Sequence, residues 1–211
     1  MAYDLEEQEQ IDALKGWWAD NGKLVMLAAI ACLLTVAGFQ GWRYYKAQQI
    51  ERAATLFVQL EQAEQANQHK TVRDIAAQIE DKHGSTQYGG MAALAAAKAG
   101  VMTGELEDAR KHLQWAIDNA REEEMRDVAR LRLAGVLLDE KKYDEALKVL
   151  SAKPSEPYEA LYADRRGDVL TAQGKLAEAR SAYQSALEKS ESGNRYRPII
   201  ELKLDALGEA K

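Results

Sequence analysis

Apolar and polar positions divide the chain into two regimes. From Leu24 to Trp42 (LVMLAAIACLLTVAGFQGW) nineteen residues run without a charge; beyond Arg43 apolar residues return every three or four positions, between short polar breaks. At 1.5 Å per residue the uncharged run spans about 28 Å as a helix, close to the hydrocarbon thickness of a bilayer. Trp17 and Trp18 precede it, and Trp42, Tyr44 and Tyr45 mark its far end. Indole and phenol rings settle at the membrane–water boundary, so the pattern predicts a transmembrane helix over 24–42 with an aromatic belt at each end. A cleaved signal peptide needs a basic start and a small-residue cleavage site. Here the first twenty-three residues hold six acids and two lysines, and bulky GWRYYK follows the apolar run. A buried core helix also fits poorly, because one packed face does not need nineteen uncharged residues in a row.

The flanks add detail. In residues 1–23, Ile11, Leu14 and Trp18 share a helical face, which predicts a short amphipathic helix ended by Asn21-Gly22. Its polar face is acidic and is repelled by anionic lipid, which leaves two readings: interfacial resting through Trp17 and Trp18, or docking onto a protein surface. Inside the span Ala28, Ala31, Thr35 and Gly38 recur at spacings of three and four, a candidate contact face for another transmembrane helix. Orientation stays open: Lys15 and Lys23 stand before the span, against Arg43, Lys46 and Arg52 after it. A difference of one charge leans toward a cytoplasmic C-terminal part but does not decide.

After the span, residues 43–70 read as a helix leading out of the membrane, with a break beginning at His69-Lys70. Val72, Ile75, Ala76 and Ile79 then mark a helix ended by His83-Gly84-Ser85. The segment 71–211 carries an internal repeat. GELEDARKHLQWAI, KKYDEALKVLSAK and GKLAEARSAYQSAL align without gaps: Ala109, Ala146 and Ala179 share one place, Leu113, Leu150 and Tyr183 the place four on, and Leu106, Tyr143 and Leu176 the place three before. A helix–turn–helix unit needs a small residue where its helices cross and a large one a turn later to fill the groove. No single hairpin buries its own faces, so such units stack. The middle repeat lacks the turn glycine supplied elsewhere by Gly104 and Gly174, and it runs into Pro154 and Pro157, so its second helix should be short. Pro198 should start a last helix, with Ile199, Ile200, Leu202 and Leu207 capping the stack.

Composition agrees with an all-α fold: alanine and leucine dominate, with three prolines and two phenylalanines. A net charge of −6 without a clustered basic face argues against nucleic acid. Cys32, the single cysteine, leaves no intramolecular disulfide and does not settle the compartment. His69, His83 and His112 stand apart, without metal-ligand spacing, and read as solvated. EEEMRD at 122–127 reads as a solvated turn and helix start. No phosphate loop, nucleophile elbow or zinc-protease helix is present, so neither an enzyme, a cofactor nor a metal is expected.

The repeats resemble the tetratricopeptide family, in whose frame the early small residue falls on Ala97, Ala134 and Gly167, and the last alanine on Ala116 and Ala186, with Lys153 departing. The resemblance implies a solenoid of helical hairpins whose first helices line a partner-binding groove. Carried over residue by residue, that groove would comprise Met91, Leu94, Lys98 and Met102, then Val128, Leu131, Leu138 and Asp139, then Leu161, Asp164 and Asp168. Each of these positions also has an ordinary reading as inter-helix core.

The order of EEQEQIDALKGWW, ADNGK before the span and GWRYYK after it, followed by degenerate repeats, is similar to the ancillary SecYEG translocon subunit family (YfgM-type proteins). That resemblance implies a type II bacterial inner-membrane protein with its repeats in the periplasm. Implied partners are the SecYEG translocon, a PpiD-like membrane-anchored periplasmic chaperone and translocating client proteins. The alternative reading is a cytoplasm-facing receptor whose groove recruits soluble partners to the membrane.

Overall fold

The computed structural model describes residues 2–190 and 195–208, with side chains from residue 7 onward. The outer limits of the expected segments, residue 1 and residues 209–211, lie outside it. Helices account for every regular element among the described residues. The chain divides into two units, Met1–Gln48 and Gln49–Lys211.

The first unit belongs to one continuous helix, α1 (Ala2–Gln65). The stop expected at Asn21-Gly22 is absent. Asn21 turns its side-chain amide back to the Trp17 carbonyl at 3.0 Å, and Gly22 lies under the Trp18 indole, so both residues serve the helix that they were expected to end. Helix continuity also keeps every backbone donor and acceptor paired as the chain enters the apolar run, where an unpaired group costs several kcal/mol, on the order of a lost hydrogen bond or more. α1 is long and apolar enough to cross a membrane, and none of its apolar window is buried. At one end of that run Phe39 and Trp42 meet with ring centroids 6.2 Å apart, and the Lys46 ammonium sits 4.1 Å over the Trp42 ring. Ala28, Ala31, Thr35 and Gly38 all lie exposed, with the Thr35 hydroxyl donating to the Ala31 carbonyl at 2.8 Å.

The second unit stacks helical hairpins. Residues 49–65 of α1 pair with α2 (His69–His83), α3 (Gln87–Thr103) with α4 (Leu106–Asn119), α5 (Glu123–Asp139) with α6 (Tyr143–Val149), and α7 (Glu159–Ala172) with α8 (Leu176–Lys189); α9 (Arg197–Ala206) follows. The four hairpin turns are alike. Asn67, Gly104, Lys141 and Gly174 take positive φ (55°, 78°, 59° and 76°). The next residue then donates its N–H five residues back, as in Glu105 to Gly100 at 2.8 Å and Lys142 to Leu137 at 2.8 Å. This left-handed stop satisfies carbonyls that a helix end leaves free. The middle repeat makes the same turn on Lys141 without glycine, so its missing glycine changes the residue and not the geometry.

The first of these hairpins escaped the repeat alignment. Its turn falls at Ala66–Gln68 and His69 already opens α2, so the break expected at His69-Lys70 comes earlier. Register from the turn explains the omission. Ala97, Ala134 and Gly167 stand seven residues before their turns, and Leu113, Leu150 and Tyr183 stand nine after. The first hairpin inverts the sizes, with Leu60 before and Ala76 after. All eight positions are buried, so the large side chain fills the crossing from whichever helix carries it. At Gly167 the fit is closest, because a methyl group there would overlap the Tyr183 ring.

Charged and polar side chains tie successive hairpins. Arg73 of α2 reaches Glu105 at 2.7 Å, Arg110 of α4 reaches Glu140 at 3.0 Å, and His112 of α4 meets Glu80 of α2 at 2.8 Å. His83 is buried too, bonded to Gln49; burial, then Arg52 and Lys82, hold its pKa below the usual imidazole value. Neither His83 nor His112 is the solvated residue expected, since stacking brings polar partners that are distant in sequence.

α6 is short, as the prolines foretold, and the segment that replaces its second half is held by Asp127. This residue is 0% exposed. Its carboxylate accepts from the Ser155 amide (2.9 Å) and hydroxyl (2.6 Å), the Tyr162 hydroxyl (2.9 Å) and Arg130 (3.1 Å). The solvated reading of 122–127 therefore fails at its last residue. Burial pushes the Asp127 pKa up, but the bonds from Ser155, Tyr162 and Arg130 prevail and hold it below the usual carboxylate range.

α9 caps the stack with Ile200 buried and Leu204 and Leu207 packed beside it. Ile199 and Leu202, expected in that cap, are instead 49% and 69% exposed. Register accounts for this. Gly208 (φ 72°) occupies the turn place again, and Glu201, paired with Arg197 at 3.1 Å, stands where Ala97, Ala134 and Gly167 stand. Glu201 is exposed there, where three other hairpins bury a small residue.

Two predictions concern this packing. Gly167→Ala should destabilise the full chain by about 1–3 kcal/mol through overpacking, and Tyr183→Leu in the same chain should recover most of it, restoring the Ala–Leu pairing of the second hairpin; thermal unfolding in detergent followed by circular dichroism measures both. Asp127→Ala should cost about 2–4 kcal/mol by leaving Ser155 and Tyr162 unpaired and Arg130 with Glu123 as its remaining carboxylate partner. Because its folded pKa is depressed, the Asp127 contribution is fully present above the unfolded value of about 3.9 and disappears as pH falls through the folded value. The stability difference between wild type and variant should accordingly stay flat above about pH 5 and shrink below about pH 4.

Candidate functional site

The first helices of successive hairpins lie side by side and leave a groove along their shared face. Between α3, α5 and α7 this groove opens into a cavity of about 490 Å³. Lys98, Met102, Leu131 and Asp139, expected there from the repeat frame, all line it. Val101, Arg132, Gly135 and Arg165 line it as well and were missed. Arg132 and Arg165 occupy one repeat position, two residues before the small residue, a regularity visible in the sequence once the turns are known.

The remaining expected groove residues divide. Met91 is exposed on α3. Leu94 is 7% exposed and belongs to the central buried cluster, with its carbonyl taking the Arg132 guanidinium at 3.3 Å. Val128 and Leu138 are half-buried against that same cluster. Leu161 is half-buried on α7. Asp164 and Asp168 are bridged by Lys203 of α9, whose ammonium lies 2.8 Å from both, and Tyr183 donates to Asp168 at 2.9 Å. Burial, with the nearby Asp168 carboxylate adding to it, raises the Asp164 pKa despite that lysine.

The charges in the groove are thus largely met from within. Lys98 pairs with Glu64 at 2.6 Å and Arg165 with Asp168 at 3.5 Å. Met91 and Met102, flexible and polarisable side chains, are both exposed on α3, and Met102 lines the cavity. On the other flank of α5 a second cavity of about 640 Å³ lies beside the short α6, floored by Leu133 and Leu137. Its Arg110, Lys111 and Arg130 are engaged by Glu140, Glu107 and Asp127.

No group of three or more His, Cys, Asp or Glu side chains among the described residues is placed to hold a metal ion. What the groove offers chemically is apolar contact beside compensated charge, the character of a polypeptide-binding surface.

Comparison with known proteins agrees with this geometry. A profile described as a tetratricopeptide repeat-like domain matches residues 15–209. A protein of Neisseria gonorrhoeae named ancillary SecYEG translocon subunit is 31% identical over 214 residues, covering 98% of this chain and 100% of that protein. Proteins of the same name from Haemophilus influenzae and Escherichia coli are each 31% identical, covering 88% and 95% of this chain and 91% and 96% of their own lengths. An apolar helix followed by stacked hairpins, similar to these relatives over nearly the whole chain, belongs to the ancillary SecYEG translocon subunit family.

Proposed function

We propose that the protein is a non-catalytic scaffold, anchored in the bacterial inner membrane by residues 24–42, that associates with the SecYEG translocon. Its hairpin domain works in the periplasm, where the groove across α3, α5 and α7 links the translocon to a membrane-anchored periplasmic chaperone and to newly translocated polypeptides. The observation that carries this reading is near-full-length similarity to proteins named for the translocon, in a chain that pairs an unburied apolar helix with a hairpin stack. The groove supports it physically: adaptable methionines and internally paired charges suit a surface that meets many partners. Ala28, Ala31, Thr35 and Gly38, exposed on one face of the helix, suit close approach of a transmembrane helix of the translocon.

One observation favours the opposite topology, namely the single extra cation after the span. A cytoplasm-facing receptor would follow from it. A periplasm-active reporter and a cytoplasm-active reporter, each fused after Lys211, separate the two. Activity of the periplasmic fusion and co-purification of SecYEG with the full chain in mild detergent are the expected results. Activity of the cytoplasmic fusion alone would overturn the assignment in favour of the receptor.

A further inference from the structure

Ile199 and Leu202 are large apolar residues exposed on α9, and the need to cap the stack does not explain them. The cap is made by Ile200, Leu204 and Leu207 on the inner side and by the Arg197–Glu201 pair at the crossing position. The repeat register shows what Ile199 and Leu202 are instead. Gly208 follows Gly174 at the spacing at which Gly174 follows Lys141, give or take one residue, and all three have positive φ. Counting back from it, Ile199 occupies the place of Arg132 and Arg165, and Leu202 the place of Lys98, Gly135 and Asp168. Three of those residues, Lys98, Arg132 and Arg165, point into the cavity between α3, α5 and α7.

A contact independent of sequence counting agrees with this register. Lys203 holds the place of Val136 on α5, which lines the cavity next to Lys98 of the preceding first helix. Lys203 likewise reaches back to Asp164 and Asp168 on its own preceding first helix, α7. α9 packs on α8, and Lys203 ties it to the two α7 carboxylates, while the register places Ile199 and Leu202 on the face that follows Arg132 and Arg165.

We propose that the groove continues onto α9, and that Ile199 and Leu202 form an apolar terminal subsite for an apolar segment of an unfolded polypeptide. This rests on the groove reading above and names its ligand class. The groove has an apolar end at Val101 and Met102, a middle of paired charges, and an apolar end at Ile199 and Leu202. In the middle Lys98 is met by Glu64, Arg165 by Asp168, and the two α7 carboxylates by Lys203, while Arg132 and Asp139, which line the cavity without an ion pair, offset one another in sign. Charges compensated in this way attract a ligand of neither sign, so affinity comes from the apolar ends. The occupant is a chain recognised by exposed apolar side chains, with little regard to its charge.

The test uses the full chain in detergent micelles and three fluorescein-labelled peptides read by anisotropy: a leucine-rich peptide flanked by glutamates, the same peptide flanked by lysines, and a version with the leucines replaced by serine. Both leucine peptides should bind with affinities within about threefold of each other between 0.05 and 0.5 M salt, and the serine peptide should not bind. The Ile199→Ser/Leu202→Ser double variant, whose two side chains are exposed, should keep its thermal unfolding midpoint and weaken binding about tenfold; Met102→Ser should also weaken it. Unchanged binding in the double variant, with binding weakened by Met102→Ser, would overturn the α9 subsite and leave the groove standing. A preference of more than about tenfold for one flanking charge would overturn the ligand class. Failure of every peptide to bind, or binding indifferent to all three positions, would overturn the groove reading itself.

Discussion

Two helices of a hairpin approach closely only where one of them gives up its side chain, and the hairpins of residues 49–189 depend on that exchange of volume. Ala97 meets the level of Leu113, Ala134 that of Leu150, and Gly167 that of Tyr183, whose ring lies where a methyl group would otherwise sit. In the first hairpin Leu60 and Ala76 make the same exchange in the opposite sense. The total volume at the crossing, and not the identity of the helix that supplies it, is what close packing requires. On α9 Glu201 occupies the small position, exposed and paired with Arg197.

Departures from regular packing are held by buried or half-buried polar contacts. Where α6 stops after seven residues, the chain has no helical hydrogen bonds to offer, and Asp127 supplies the missing partners through four bonds to Ser155, Tyr162 and Arg130. Arg73, Arg110 and His112 do similar work between hairpins, each fixing the offset of one against the next. The groove inherits its character from this economy of pairing. Its cations are mostly spoken for, and its apolar lining is methionine, valine and leucine.

Membership of the translocon-subunit family joins the two units in one functional account. In the function proposed above the apolar helix provides a place and the hairpins a surface. That proposal rests on residues exposed without a packing reason: the small-residue face of α1, the methionines of α3 and the outward pair on α9.

The sequence by itself determined the all-α class, the apolar run, three of the hairpins and the shortness of α6, because each depends on local periodicity or on proline. It also located four of the eleven residues that line the cavity, since Lys98, Met102, Leu131 and Asp139 follow from a repeat frame counted along the chain. Only the tertiary structure showed the hairpin of 49–83, whose sizes are inverted and whose turn uses Asn67 in place of glycine. It alone showed the burial of Asp127 and His83, the continuity of α1 through Asn21-Gly22, and the outward aim of Ile199 and Leu202. For the buried polar groups the reason is distance along the chain, whereas α1 is continued by contacts only four residues apart. Periodicity tells which face of a helix is apolar, but which partner meets that face, and whether a polar group finds its hydrogen bonds there, depends on residues brought together from across thirty or more positions of chain.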